Sequence, residues 1–372
     1  MKFAIITHVE HKKNAKELVA YEPYVREMNL WLKYVDEVHV IAPLSSEKPS
    51  SIDVPYIHLK LIQKVIPQFD ITTFLKVIKA IFVIPIISFK IFQAMFWADH
   101  IHLRCPGNIG LLGCFVQILF PSKSKTVKYA GNWDPNSKQP LSYRLQKWIL
   151  SNTFLTKNCK VLVYGKWENQ SKNIVPFFTA TYSTKDIVSI PKKDFSKKIN
   201  FIFVGALSIG KQPMISIKII EELKNKGYNV QLDMYGDGVE RNRVIDYILD
   251  NSLQGIVNLH GNVNKNEIKK AFQKAHFLVF ISKSEGWPKV VAEAMFWSCL
   301  PITTAVSCVP YMIDNGNRGS LVNANRNQIV KEIETYLNDK ELYQKKVEKA
   351  KDWSQNYTLE KFESEIKELL KN

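Results

Sequence analysis

Two glutamates, Glu285 and Glu293, stand with seven residues between them in the stretch SEGWPKVVAEAMFWSCLPITT, Ser284–Thr304. Carboxylates in such surroundings can each accept hydrogen bonds through both oxygens, which suits a polyhydroxylated ligand. Pro288 follows the first glutamate, and the apolar residues Val290, Val291, Ala292, Ala294, Met295 and Phe296 follow Pro288. Proline belongs at the first helical position, where a missing N–H costs nothing, so a helix is predicted from about Pro288 to Trp297. The run FLVFIS, Phe277–Ser282, reads as a buried parallel strand leading into it. Strand, Glu-Gly turn and helix N-terminus together put unpaired N–H groups and a positive dipole end at the carboxyl edge of a sheet. Open α/β sheets bind phosphate-bearing ligands at that edge. An ordinary surface helix with two solvated glutamates is the alternative, but apolar residues nearly surround Glu293.

The elements that must hold this stretch repeat along the chain. Lys2–His8 and Val38–Ala42 are strand-like, with a helical pattern over Tyr21–Tyr34 between them and a polar loop expected over Glu10–Val19. Strand, helix, strand opens a doubly wound sheet. Thr126–Ala130 leads into the turn Gly131-Asn132-Trp133-Asp134-Pro135, and Val161–Tyr164 reads as the last strand of a first domain. The Lys-rich stretch Thr179–Asn200 is expected to be a linker. Phe201–Val204 restarts the strand pattern, followed by Val230–Tyr235, the turn Gly236-Asp237-Gly238, and Val257–His260. Leu359–Leu370 reads as an amphipathic helix. Phe74–Trp97 is the most apolar segment, but Lys76, Lys79, Lys90 and a central Pro85 interrupt it. A buried or interfacial pair of helices is expected there rather than a membrane span.

The stretch around Glu285 resembles the nucleotide-sugar site of retaining family-four glycosyltransferases, which have the GT-B fold. Their signature, E-G-x-x-x-x-x-x-E-A-M, stands here as Glu285-Gly286…Glu293-Ala294-Met295. Gly205-Ala206-Leu207-Ser208-Ile209-Gly210-Lys211 resembles the family's G-R-L-x-x-x-K element, whose Arg and Lys hold the donor diphosphate; Lys211 is kept, and Ala206 stands where the arginine usually is. Gly236-Asp237-Gly238 resembles the family's G-x-G, and His260-Gly261 the place where backbone lines the nucleotide base. Related enzymes usually carry a Gly-rich turn after the first strand; here His8, Glu10, His11 and Lys12 stand there, and His8 is the better candidate base.

The resemblance implies an α/β, GT-B architecture: two doubly wound Rossmann-like domains facing a cleft. Residues 1–185 would form the acceptor-binding domain and residues 186–372 the nucleotide-sugar-binding domain. The last helix, about 356–372, would cross back to the first. It implies retaining transfer of a hexose-type sugar from a UDP- or GDP-sugar to a glycan or lipid-linked acceptor, in cell-surface polysaccharide synthesis. Glu285 would hold sugar hydroxyls and Glu293 the ribose. Lys211, with the N–H groups of Gly286, Trp287, Pro288's neighbours and Lys289, would stabilise the leaving diphosphate. Gly205, Gly236, His260 and Gly261 would line the nucleotide. Asn132 and Asp134 are the nearest polar candidates where relatives carry a sugar-contacting histidine; a structural turn is the other reading. No permanently bound cofactor is expected, and no Asp-x-Asp pair points to a metal.

Composition bounds these readings. The chain has 372 residues, a net charge of +16 and 46% hydrophobic residues, which suits about two globular domains with anionic partners. Nucleic acid is disfavoured as a partner, because the lysines are scattered and no recognised motif accompanies them. A dehydrogenase is disfavoured because no G-x-G-x-x-G follows the first strand. A nucleotide-binding scaffold without strong catalysis stays open through Ala206. The five cysteines form no CxxC pair and suit reduced, buried thiols in a cytoplasmic protein. MKFAIITHVEHKK lacks a small-residue cleavage site and reads as a first strand, not a signal peptide. The basic apolar run Phe74–Trp97 is either core or a face lying on an anionic membrane, which would make the protein peripheral on the inner face of the plasma membrane.

Overall fold

The computed structural model describes residues 1–15, 17–50, 52–69 and 73–371. The chain divides into two compact units, one from Met1 to Phe177 joined by the segment from Phe362 onward, the other Phe178–Lys361. The division falls a few residues before the expected position at 185.

The first unit contains β1 (Lys2–Ile6), β2 (His11–Asn14), β3 (Glu17–Tyr21), α1 (Glu22–Leu32), β4 (Glu37–Pro43), β5 (Asp53–Pro55), β6 (Leu61–Ile66), α2 (Phe74–Trp97), β7 (His100–Cys105), α3 (Asn108–Val116), β8 (Ser124–Tyr129), α4 (Leu141–Ser151), β9 (Cys159–Tyr164) and β10 (Ile174–Phe177). Its main sheet has the order β10-β9-β8-β7-β1-β4-β6 and is parallel throughout. The chain winds outward from β1 to β6, then returns to β7 and winds the other way. Right-handed crossovers therefore put α1 on one face and α2, α3 and α4 on the other. Ile87, Ile91 and Met95 of α2, Ile109 and Cys114 of α3, and Ile149 of α4 pack with Ile6, Leu103 and Val127 in the core under that second layer.

Three expectations are corrected here. Glu10–Val19 is not a polar loop: β2 and β3 form an antiparallel hairpin that β5 extends to a small three-stranded sheet. Its pairing partner, Asp53–Pro55, lies far along the chain, so nothing local announces it. Phe74–Trp97 is one helix and not two, and Pro85 sits inside it. A proline removes one i→i−4 bond, but here both flanking segments are anchored by the same sheet. Val161–Tyr164 is not the last strand of the unit, because β10 adds beside β9.

The second unit contains β11 (Ile199–Val204), α5 (Pro213–Asn225), β12 (Val230–Tyr235), α6 (Arg241–Asp250), β13 (Val257–Gly261), α7 (Lys265–Lys274), β14 (Phe277–Phe280), α8 (Lys289–Phe296), β15 (Leu300–Thr304), α9 (Val309–Met312), β16 (Ser320–Val322), α10 (Arg326–Asn338) and α11 (Lys340–Gln355); α12 (Leu359–Leu370) follows. Its sheet has the order β13-β12-β11-β14-β15-β16 and is also parallel. The winding reverses between β11 and β14. The expected linker is partly structural: the Lys193 ammonium is buried against the carbonyls of Phe272 at 3.2 Å, Trp297 at 3.2 Å and Ser298 at 2.9 Å, and of Ala275. It thereby satisfies the carboxyl ends of both α7 and α8. All five cysteines are buried.

Candidate active site

The strand order reverses between β11 and β14, and the carboxyl ends of strands at such a reversal are the position where open α/β sheets receive ligands. The loop after β11 carries Gly205 to Lys211, and the loop after β14 carries Ser282 to Pro288. They are bonded to each other: the Lys283 N–H donates to the Gly210 carbonyl at 2.9 Å, and the Gln212 amide donates to the Ile281 carbonyl at 3.3 Å. Gln212 takes a left-handed conformation, φ 48°, to turn the chain into α5.

This juxtaposition brings Lys211 and Glu285 into an ion pair across 74 residues of sequence. The Glu285 side chain is nearly buried, and the Ser282 hydroxyl donates to the same oxygen at 2.5 Å. The ammonium also lies 4.8 Å above the Phe280 ring. Ser282 is in turn held by Thr304 at the end of β15, with its N–H donating at 3.1 Å to the threonine hydroxyl, which donates at 2.6 Å to the Ser282 carbonyl. The Ser307 hydroxyl fixes the Gly286 carbonyl at 2.9 Å. Sequence reasoning missed Ser282, Thr304 and Ser307; the run of small hydroxyl residues around the next strand was the available signal. Helix α8 starts at Lys289 with no side-chain cap, so its first N–H groups are left to other partners. Trp287 and Pro288 are buried and fix the approach to that end.

The glycines have separate reasons. Gly236 has φ 129°, and a Cβ there would overlap the carbonyl oxygen of Gly205. A Cβ on Gly238, φ 156°, would sit 2.6 Å from the Leu207 oxygen. The two turns therefore stack backbone on backbone, with the Leu207 N–H donating to the Asp237 carbonyl at 3.0 Å. The Gly236 N–H donates to the Gly261 carbonyl at 2.8 Å, so the ends of β11, β12 and β13 form one rim. The His260 ring stacks on Tyr235 at 4.5 Å, and its Nε2 meets Asp233 Oδ1 at 2.9 Å.

Glu293 sits just over one turn into α8. Thr181 donates to its Oε1 at 2.7 Å, and Trp287, Lys289, Phe296 and Tyr357 line the same small cavity. Burial raises its pKa above the ordinary glutamate value, opposed by the Thr181 bond and by Lys289 and Lys265.

In the first unit the analogous reversal lies between β1 and β7. His8 follows β1, and Gly107 follows β7 at the N-terminus of α3; a Cβ on Gly107 would come 3.0 Å from His8 Nδ1. His8 lines an open cavity with Glu10, Lys79 and Asn108. Its pKa is lowered by burial and then by Arg104, so the ring is neutral near physiological pH. His11 is buried in the hairpin sheet, with Nδ1 at 2.8 Å from the Val9 carbonyl and Nε2 at 2.8 Å from Tyr56 Oη. Asn132 and Asp134 build their own turn, each side-chain oxygen accepting a backbone N–H two residues on, at 2.9 and 2.8 Å. Among the described residues, no group of three or more His, Cys, Asp or Glu is placed to hold a metal ion.

Residues 186–353 match the family model of glycosyl transferases group 1. An uncharacterized glycosyltransferase of Methanocaldococcus jannaschii is 30% identical over 161 residues, 43% of this chain and 44% of that protein. The GalNAc-alpha-(1->4)-GalNAc-alpha-(1->3)-diNAcBac-PP-undecaprenol alpha-1,4-N-acetyl-D-galactosaminyltransferase of Campylobacter jejuni is 27% identical over 179 residues, 47% of this chain and 49% of that protein. The chain thus spans about half the length of these curated relatives. The Anabaena protein HepE, solved with UDP and glucose, superposes with a TM-score of 0.70 at 13% identity, over 100% of this chain and 99% of that one. The matched segment contains Lys211, Glu285 and Glu293, and the two Rossmann-like units have the GT-B fold.

Proposed function

We propose that this protein is a retaining glycosyltransferase that moves a hexose-type sugar from a UDP- or GDP-sugar to a glycan or lipid-linked acceptor. Cell-surface polysaccharide synthesis from the cytoplasmic side is the setting. The observation that carries this reading is the Lys211–Glu285–Ser282 cluster at the β11/β14 reversal, beside the uncapped start of α8. Departure of the nucleotide diphosphate builds negative charge. The Lys211 ammonium and the N–H groups between Gly286 and Lys289 oppose it without any proton transfer, the electrostatic form of catalysis. Glu285 exchanges its lysine partner for sugar hydroxyls when donor binds. Glu293 holds the ribose hydroxyls, and retention follows from attack on the face that the diphosphate leaves. UDP in the HepE structure and PP-undecaprenol in the Campylobacter relative's name support the donor and acceptor classes.

A thermal-shift screen against UDP, GDP, ADP and their sugars tests the donor, because a ligand that binds only the native state raises the melting temperature. A shift with UDP- or GDP-sugar is expected, and none with any nucleotide would overturn the reading. Ala206 favours one other reading, a nucleotide-binding scaffold. Donor hydrolysis by the wild type, lost in Lys211→Ala, separates the two.

A further inference from the structure

The second helix layer of the first unit has an outward face unlike that of an ordinary soluble domain. Helix α2 is 24 residues long, about 36 Å at the usual rise. Its inward residues Ile87, Ile91 and Met95 are buried in the core. Its outward residues follow the complementary helical spacing: Phe82 is 72% exposed, Phe89 61% and Phe96 70%, with Ile78 before them and Ile86 between them exposed as well. The neighbouring α3 exposes Phe115, and Leu119 just beyond it is exposed as well. On α4, Leu141, Leu145 and Trp148 form an i, i+4, i+7 stripe, with Trp148 59% exposed and Phe154 following. Helices α2, α3 and α4 lie side by side on one face of the sheet, so these stripes are neighbours. None of the three helices contains an acidic residue. Among the described residues, their exposed cations are Lys76 and Lys79 near the start of α2 and Arg144 between the apolar positions of α4. Lys138 precedes α4, and Lys157 lies 5.1 Å over the Phe154 ring.

We propose that the outward faces of α2, α3 and α4 form a docking surface for an anionic lipid bilayer. Phenylalanine, isoleucine and tryptophan side chains enter the headgroup–acyl boundary while lysine and arginine meet lipid phosphates, as on interfacial amphipathic helices. Charge selects this occupant over a second copy of the chain, since two such faces opposed would set Lys79 and Arg144 against further cations, and the three helices carry no acidic residue to pair them. Helix α2 has the length and apolarity of a membrane span, but its inner stripe is committed to the sheet, so it lies along the bilayer surface. The inference stands apart from the transfer reading, because vesicle binding needs no donor.

The test is co-sedimentation of the full chain with vesicles of equal parts phosphatidylglycerol and phosphatidylcholine, and with phosphatidylcholine alone, at low salt. Binding to the anionic vesicles is expected, weakening as salt shortens the Debye length from about 10 Å at 0.1 M to about 3 Å at 1 M. Phe82→Ser/Phe89→Ser/Phe96→Ser should lose at least tenfold in partitioning, and Lys79→Glu/Arg144→Glu at least fivefold on anionic vesicles only. Brominated lipid should quench wild-type fluorescence more than that of Trp148→Phe, a readout that does not depend on either surface variant folding. Failure of the wild type to bind anionic vesicles at low salt overturns the proposal. So does a dimer in sedimentation equilibrium that the phenylalanine variant dissociates while vesicle binding stays unchanged.

Discussion

The helices α2, α3 and α4 of the first unit and the helices α7, α10 and α11 of the second cover sheets of the same parallel, doubly wound kind, yet they meet solvent differently. Asn264, Asn325 and Asp339 cap the starts of α7, α10 and α11 with side-chain oxygens, and charged residues fill their outer faces. No side chain caps α2, α3 or α4, and their outer faces are apolar and cationic. The fold needs only the inward stripe of each helix, because that stripe supplies the burial that stabilises the sheet. The outward face is then free to answer to something else. In the second unit it answers to water, and in the first its apolar and cationic character is what the proposed lipid docking rests on. The strand-end loops differ as well. In the second unit, glycine turns stack on each other and a lysine is locked to a glutamate. In the first, His8 faces an open cavity and Asn132 and Asp134 are occupied in their own turn.

The largest expected effect tests whether the stacked turns are as rigid as their geometry implies. Gly236→Ala places a Cβ on the Gly205 carbonyl at a positive φ, and should cost about 3 kcal/mol or more. Urea unfolding measures it, and a loss under about 1 kcal/mol would show that the turns can separate. Next, one helix separates inside from outside. Ile87→Ala should cost about 3 kcal/mol through a core cavity, whereas Phe89→Ala, two positions on and exposed, should leave the unfolding midpoint unchanged. Equal losses would mean that the outer face is covered within the folded chain.

Lys211→Ala should lower turnover about 10²-fold, the scale for losing one contact to a developing anion. A wild-type rate from a folded variant would remove Lys211 from the chemistry. The smallest effect concerns Glu293. Glu293→Gln keeps an acceptor for Thr181 but gives up charge-assisted bonds, and should weaken donor binding about tenfold by calorimetry. Burial raises the folded pKa of Glu293, so over that window the native state holds more protons than the unfolded chain. The stability from this group is present at acid pH and lost as pH rises through the folded pKa. The melting temperature of Glu293→Gln should therefore gain on the wild type between acid and neutral pH. A constant difference would show that the carboxylate is solvated.

The two sheets were legible in the sequence because each buried parallel strand is an uninterrupted apolar run. FLVFIS, VHVIA and FIFV need no distant information to be read, since burial on both faces is written in consecutive residues. Glu285-Gly286…Glu293-Ala294-Met295 was legible for a similar reason: strand, turn and helix start are all local. The amphipathic Leu359–Leu370 came out at the observed bounds. What lay beyond the sequence was every relation that closes through space. The hairpin His11–Asn14 with Glu17–Tyr21 looked like a polar loop, because its third strand is Asp53–Pro55. The partners of the two glutamates, Lys211 at 74 residues' separation and Thr181 at 112, depend on which strands are neighbours. In Phe74–Trp97 apolar residues occur all round the helix, so periodicity could not say which side faces the core. Only docking on the sheet decided that Ile87 is inside and Phe89 outside, because a helix has one stripe that the strands can reach and the remainder is left to the surroundings.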